Sequence, residues 1–84
     1  MADILYFASL AEDLGLKSER FDLPADCATV DNLIELLRER GSPFAETFDG
    51  NVRILVAVNQ EMSEPTAAIS NGDEIAFFPP VTGG

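Results

Sequence analysis

Residues 29–41 constrain the fold more than any other segment, because they carry the start, the apolar face and the stop of one amphipathic helix. Thr29 is a favourable N-cap, while Arg38 and Arg40 are predicted in the last turn, before a stop at Gly41. Apolar residues recur at the i, i+3, i+4, i+7 spacing of one helix face: Val30, Leu33, Ile34 and Leu37. A single helix cannot bury its own apolar face, so the rest of the chain must cover it.

The segments around this helix are short and rich in strand-forming residues. Strands are predicted at residues 4–7, 19–23, 54–58 and 74–78, with a short edge segment at 61–62. Residues 54–58 form an unbroken apolar run, which predicts burial on both faces. A short helix is predicted at residues 8–14 and a helical turn near 44–48, and Asn59-Gln60 and Asn71-Gly72-Asp73 are turn signals. This pattern predicts an α+β domain in which a mixed sheet of about five strands packs against one long helix.

The chain has 84 residues, of which 46% are hydrophobic. This length and composition are enough for one domain. We predict the domain at residues 1–80 and a tail at residues 81–84. No apolar run approaches the roughly 20 residues that span a bilayer, and no basic region precedes an apolar stretch at the N-terminus. A single cysteine excludes an internal disulfide and fits a reducing compartment. We therefore expect a cytoplasmic protein without a membrane partner.

The net charge of −10, from 15 acidic and 5 basic residues, disfavours binding to nucleic acids and anionic lipids. Two interpretations stay open: the acidity aids solubility only, or it forms a face that docks on basic partners. The absence of histidine removes the common general base and the commonest metal ligand, which weighs against a self-contained enzyme and against a metal site.

The sequence ends with Pro79-Pro80-Val81-Thr82-Gly83-Gly84. Two consecutive prolines cannot continue a sheet or form a helix, so we expect the tail to leave the domain in an extended conformation. Glycines without side chains allow close approach of other atoms, which suits a narrow channel entered with the Gly84 carboxylate first. The alternative is an ordinary frayed terminus.

This order of elements, with its Phe-Phe-Pro-Pro-Val-Thr-Gly-Gly ending, resembles the MoaD-type ubiquitin-like sulfur carriers, the small subunits of molybdopterin synthase. The resemblance covers the whole chain and rests most on residues 4–8, 57–60, 71–78 and the tail. A terminal diglycine is shared with ubiquitin and the thiamine-pathway carrier. The two phenylalanines and two prolines before it favour the molybdopterin carriers over the thiamine-pathway carrier. The resemblance implies a β-grasp fold in which the first and last strands are parallel neighbours at the sheet centre.

The resemblance also implies a mechanism. An ATP-dependent activating enzyme would adenylate the Gly84 carboxylate, which would then become a thiocarboxylate. The large synthase subunit would accept the tail, in a heterotetramer of two small and two large subunits. Sulfur would pass to cyclic pyranopterin monophosphate and form the dithiolene of molybdopterin. No Gly-x-x-x-x-Gly-Lys loop occurs here, so ATP is expected on the activating enzyme and no cofactor on this chain.

Phe78 is the main candidate for docking the partner. If Phe77 faces the core, strand alternation places Phe78 on the other face, where an exposed aromatic side chain suits an interface. Phe7 is expected to join it from the neighbouring strand, and the alternative is that both cover a second small core. The remaining candidate partner-binding residues follow Phe78 along the chain: Pro79, Pro80, Val81 and Thr82. Gly83 is assigned, with the Gly84 carboxylate, to the reacting end of the tail.

Other reactive side chains are assigned structural roles. Cys27 is interpreted as a small residue packed beside the start of the long helix, and the alternative is a persulfide or thioester site. No histidine or Cys-x-x-Cys partner supports the alternative. The paired carboxylates belong to a solvated helix face and to a turn: Asp31, Glu35, Glu39, Asp73 and Glu74.

Three other functions stay open beside the molybdopterin sulfur carrier. One is a sulfur carrier for thiamine or another sulfur pathway, and another is a protein modifier joined to lysines like ubiquitin. The third is a passive interaction module whose diglycine is incidental.

Overall fold

The computed structural model describes residues 1–50 and 53–80, so the predicted tail at 81–84 lies outside the described residues. Each predicted element is present, with ends shifted by at most two residues. In chain order the elements are β1 (Ala2–Tyr6), α1 (Ser9–Leu14), β2 (Ser18–Phe21), α2 (Val30–Arg38), α3 (Phe44–Thr47), β3 (Leu55–Val58), β4 (Glu61–Ser63) and β5 (Glu74–Phe78).

The five strands form one mixed sheet in the order β2-β1-β5-β3-β4. β1 and β5 run parallel at its centre, with Ile4 opposite Ile75 and Tyr6 opposite Phe77, and the other pairs are antiparallel. The parallel pairing of the first and last strands, which the family resemblance implied, is therefore confirmed. Its consequence is that the chain leaves the domain from a central strand.

Helix α2 begins as predicted, with a capping box in which Thr29 and Asn32 each bond the other's backbone N–H. Its buried face carries Val30, Leu33 and Leu37, while Ile34 is half-buried. The placement of Arg40 in the last turn was wrong, because the helix ends at Arg38 with Glu39 as its C-cap. The backbone then turns at Gly41, whose φ of +86° suits glycine.

The core lies between α2 and the inner face of the sheet. Its completely buried side chains come from β1, β5 and α2, and α3 adds two aromatic rings. The large completely buried side chains are Ile4, Val30, Leu33, Leu37, Ile75 and Phe77, and the buried rings of Tyr6, Phe44 and Phe48 pack with them. Three helices contribute to this layer, so the expectation of one long helix was incomplete.

Two strand predictions need correction. β2 ends at Phe21, because Leu23 leaves the ladder and exchanges backbone hydrogen bonds with the side chain of Asn71 at 3.1 and 3.3 Å. Leu23 is still buried and Phe21 half-buried, so both point inward as predicted. In β3 only Val56 and Ala57 are buried, so the predicted burial on both faces holds for the middle of this strand and not for its ends. Within the two described stretches, no helix is long and apolar enough to cross a membrane.

Candidate functional site

Phe77 and Phe78 are neighbours at the end of β5 and lie on opposite faces of the sheet. Phe77 is completely buried; its ring stacks on Tyr6 at 6.1 Å between centroids and meets Phe48 edge-on at 5.2 Å. Phe78 meets the ring of Phe7 edge-on at 6.4 Å. Phe78 is therefore half-buried, less accessible than expected, while Phe7 is 48% exposed. The predicted division between a core and an outer phenylalanine is confirmed, and their role in docking stays a prediction.

The side of the sheet opposite the core, here called the outer face, is largely apolar. Strand register places one row of side chains across four strands, from Leu5 through Ala76 and Ala57 to Met62. Leu55 lies opposite Phe78 in the next row. Met62 is 63% exposed, and with Phe7 it gives this face two accessible large apolar side chains. A contiguous apolar surface of this kind is typical of a protein–protein contact.

Polarity changes along the outer face. At the start of β1 and β5, Asp3 lies opposite Glu74 and forms an exposed ion pair of 3.3 Å with Arg20. Such an exposed pair contributes little to stability. At the other end of the same strands lie Phe7 and Phe78. Because β1 and β5 are parallel, this apolar end is the one from which the chain continues into Pro79.

Pro79 and Pro80, the last described residues, are half-buried. Pro79 borders a cleft of about 340 Å³ that is otherwise lined by residues of α1, α3 and Pro43. The chain therefore leaves the domain at the rim between the outer face and the helical layer. The predicted site residues Val81, Thr82, Gly83 and Gly84 lie outside the described residues, so their roles stay predictions.

A partly exposed polar network that the sequence did not suggest joins Arg40, Glu19 and the buried Tyr6. Arg40 donates two hydrogen bonds of 2.9 Å to the two carboxylate oxygens of Glu19, and Tyr6 donates one of 2.8 Å to Oε2. The guanidinium also lies 5.0 and 4.9 Å from the ring centroids of Phe21 and Phe44. These contacts hold Arg40 outside α2, which ends at Arg38.

The same contacts determine the protonation states of Tyr6 and Arg40. Burial and then the Glu19 carboxylate raise the pKa of the Tyr6 hydroxyl, and the hydrogen bond to Glu19 raises the pKa of Arg40. Both groups therefore keep their protons at neutral pH, so the network connects β1, β2 and the end of α2 without exchanging a proton. Glu19 and Arg40 are 21 residues apart, and neither has a local sequence signal that would pair them.

Cys27 is packed beside the start of α2, as predicted. It is only 6% exposed, and burial followed by the negative charge of Asp26 raises the pKa of its thiol. The reactive thiolate is thus disfavoured. Asp73 belongs to the predicted turn, where the Asn59 side chain and the Ser70 backbone N–H donate to its carboxylate at 3.1 and 2.8 Å and lower its pKa.

A cavity of about 530 Å³ lies away from the outer face, between α2 and residues 48–50 and 53–54. Its charged lining mixes three carboxylates with two arginines: Asp31, Glu35, Asp49, Arg38 and Arg53. Over residues 1–50 and 53–80, no group of histidine, cysteine, aspartate or glutamate is arranged to hold a metal ion. The outer face and the chain end beside it therefore form the candidate site.

Five residues of this face were not predicted from the sequence: Leu5, Leu55, Ala57, Met62 and Ala76. Alternation along each strand was the available signal, since it separates side chains into two faces. It does not show which strands are neighbours, and only that order joins these residues into one surface.

A five-stranded mixed sheet with parallel first and last strands at its centre, covered on one face by a long helix, defines a ubiquitin-like β-grasp protein. The chain belongs to the ThiS family, whose sequence profile matches residues 4–84. It is 40% identical to the molybdopterin synthase sulfur carrier subunit of Haemophilus influenzae over 100% of both chains.

Two solved structures share the fold. The crystal structure of small archaeal modifier protein 1 from Haloferax volcanii is similar with a TM-score of 0.76 and 35% identity, covering 95% of this chain and 97% of that chain. A chain in the complex of subunits 1 and 2 of molybdopterin-converting factor from Helicobacter pylori gives a TM-score of 0.62 over 99% of this chain and 97% of that chain. The identity in that comparison is 20%, so it concerns the fold alone.

Proposed function

We propose that this chain is a sulfur carrier subunit of molybdopterin synthase. The observation that carries the proposal is the course of β5, which runs from the core residue Phe77 through Phe78 on the outer face and into Pro79. The residues that follow end in Gly83-Gly84. The tail that carries the Gly84 carboxylate therefore starts, at Pro79, beside an apolar surface. The full-length similarity to the Haemophilus influenzae carrier subunit supports its use as a sulfur carrier.

The reacting atom of the proposed carrier is the Gly84 carboxylate. A carboxylate is a poor electrophile, so an activating enzyme adenylates it with ATP, releasing pyrophosphate and creating a good leaving group. Sulfur then displaces AMP and leaves a thiocarboxylate, whose sulfur is a nucleophile. ATP belongs to the activating enzyme, and this chain binds no cofactor of its own. Such a reaction suits the cytoplasm, where ATP is available and a lone thiol such as Cys27 stays reduced.

The large subunit of the synthase is the proposed partner of the outer face. Phe7 and Phe78 supply aromatic contact area next to the chain end, and Met62 extends the contact to the edge strand. Docking would bring the thiocarboxylate to cyclic pyranopterin monophosphate and make the transfer effectively intramolecular. Two such deliveries supply the two sulfurs of the dithiolene. We propose a heterotetramer of two small and two large subunits.

Mass spectrometry tests the proposal directly. After incubation with activating enzyme, ATP and a sulfur donor, the chain should gain the mass difference between sulfur and oxygen at Gly84. Addition of the large subunit and cyclic pyranopterin monophosphate should return the carboxylate and produce molybdopterin, and light scattering should give the mass of the heterotetramer. A chain that stays unthiolated, or that is thiolated and transfers no sulfur, would contradict the proposal.

A protein modifier is the second candidate, favoured by the structural similarity to small archaeal modifier protein 1 at 35% identity. The same adenylate would then be attacked by a lysine amine of another protein, forming an amide. The two functions differ in product, because a modifier leaves a Gly-Gly remnant on lysine after trypsin digestion. A ThiS-family carrier for thiamine would be thiolated but would not support molybdopterin formation with the large subunit.

A further inference from the structure

The backbone at Ala8 has a conformation that L-residues rarely adopt. Its φ is 53° and its ψ is −131°. The N–H of Leu10 donates to the Phe7 carbonyl at 3.1 Å, so residues 7–10 form a hydrogen-bonded turn with Ala8 at the second position. These angles are those of a type II′ turn, whose second position is normally glycine.

Packing does not explain why the strain is tolerated. The side chain of Ala8 is exposed, so its methyl group is not part of the core. The two other non-glycine residues with positive φ, Asn59 and Gln60, lie in a two-residue hairpin turn that requires such angles. Strained residues of this kind concentrate where a neighbouring group must be held in place.

The neighbour of Ala8 is Phe7, the exposed ring of the outer face. The Phe7 N–H donates to the Phe77 carbonyl at 3.1 Å, which continues the β1–β5 ladder, and its carbonyl accepts the hydrogen bond that closes the turn. The turn therefore ends strand β1 at Tyr6 and leaves the Phe7 ring against Phe78. Glycine at position 8 would fit these angles without strain, but it would also admit many other conformations in the free protein.

We propose that Ala8 is a positioning residue for partner docking: its restricted backbone holds Phe7 on the outer face before the partner arrives. The inference rests on the proposed function, because it assumes that Phe7 contacts the large subunit. A side chain that is already ordered in the free protein loses less conformational entropy on binding. The strain at Ala8 therefore lowers the stability of the free protein and raises its affinity for the partner. Stability and affinity should then respond to Ala8→Gly in opposite directions.

The test is a binding cycle with purified large subunit of molybdopterin synthase and four variants: wild type, A8G, F7A and A8G/F7A. We expect A8G to raise Tm by about 4 to 8 °C, because glycine relieves the strain. We expect it to raise the Kd for the large subunit about threefold to tenfold. In the F7A background A8G should leave Kd unchanged, since the ring that it positions is absent.

Ala11→Gly is the matched control, because Ala11 lies in α1 with helical neighbours. It should lower Tm, as glycine does inside a helix, and leave Kd near that of wild type. The inference is overturned if A8G lowers Tm as A11G does, binds as well as wild type, or weakens binding equally with and without Phe7. If F7A itself binds like wild type, the inference is overturned as well, because it requires Phe7 in the contact. Failure of the proposed function is a different result, in which the wild-type chain is not thiolated or transfers no sulfur.

Discussion

Phe77 and Phe78 provide a matched pair of alanine substitutions, because the same side chain occupies adjacent positions on opposite faces. Phe77 is completely buried and packs on Tyr6 and Phe48, so Phe77→Ala should cost about 3–5 kcal/mol of unfolding free energy. In a domain of this size about 1 kcal/mol lowers Tm by roughly 4–8 °C, so Tm should fall by at least ~12 °C. Phe78 is half-buried, so Phe78→Ala should cost only about 1 kcal/mol, including part of its ring contact with Phe7.

Binding should show the reverse order. If Phe78 docks the large subunit, Phe78→Ala should lose more than ~1 kcal/mol of binding, which is a rise of more than about fivefold in Kd. Urea and thermal unfolding give the stabilities, and isothermal titration of the large subunit gives Kd. Phe78→Leu serves as the control for apolar area without an aromatic ring. The reasoning is refuted if Phe78→Ala melts as low as Phe77→Ala and binds normally when folded, because Phe78 would then be a core residue.

Three further predictions test the assigned roles. Deleting Gly84 should abolish sulfur transfer while leaving Tm unchanged. The carboxylate is moved back by about 3.3–3.6 Å, and even a ~1 Å misplacement costs about a hundredfold in rate. Thiolation of the shortened chain at the wild-type rate would contradict this prediction. Cys27→Ser should retain sulfur transfer in the mass-spectrometric assay, since its thiol is buried with a raised pKa, and a folded but inactive variant would point to a thiol intermediate. Arg40→Ala should lower the urea unfolding free energy by about 2 kcal/mol, since it breaks the forked contact with Glu19 and both ring contacts. Arg38→Ala, at the exposed end of α2, should stay within about 0.5 kcal/mol of wild type, and equal losses for the two arginines would contradict this assignment.

Local patterns were sufficient for most of the fold. The start and buried face of α2 follow from Thr29 and the apolar spacing of Val30, Leu33 and Leu37, because capping and helical periodicity depend on residues within a few positions of each other. The turns at Asn59-Gln60 and Gly72 were predicted for the same reason, since positive φ is a property of single residues. Alternation along β5 also separated Phe77 from Phe78 before the sheet was known.

The misplaced residues share a different cause. Arg40 was assigned to the helix by proximity in sequence, but it contacts the carboxylate of Glu19 and the ring of Phe21, both in the distant strand β2, and the nearby ring of Phe44. Leu23 was assigned to a strand by alternation, but the side chain of Asn71, 48 residues away, occupies its backbone groups. In both cases a partner distant in sequence outweighed the local preference.

The sequence by itself determined the elements, the placement of Phe77 and Phe78 on opposite faces of a strand, and the diglycine ending that points to carrier chemistry. Only the tertiary structure decided that Leu5, Ala76, Ala57 and Met62 form one row, because that row depends on the order of four strands. It likewise decided that Phe7 meets Phe78 and that Ala8 holds a strained turn beside them. Strand order is set by which apolar faces can be buried together, a property of the whole chain that no short segment contains.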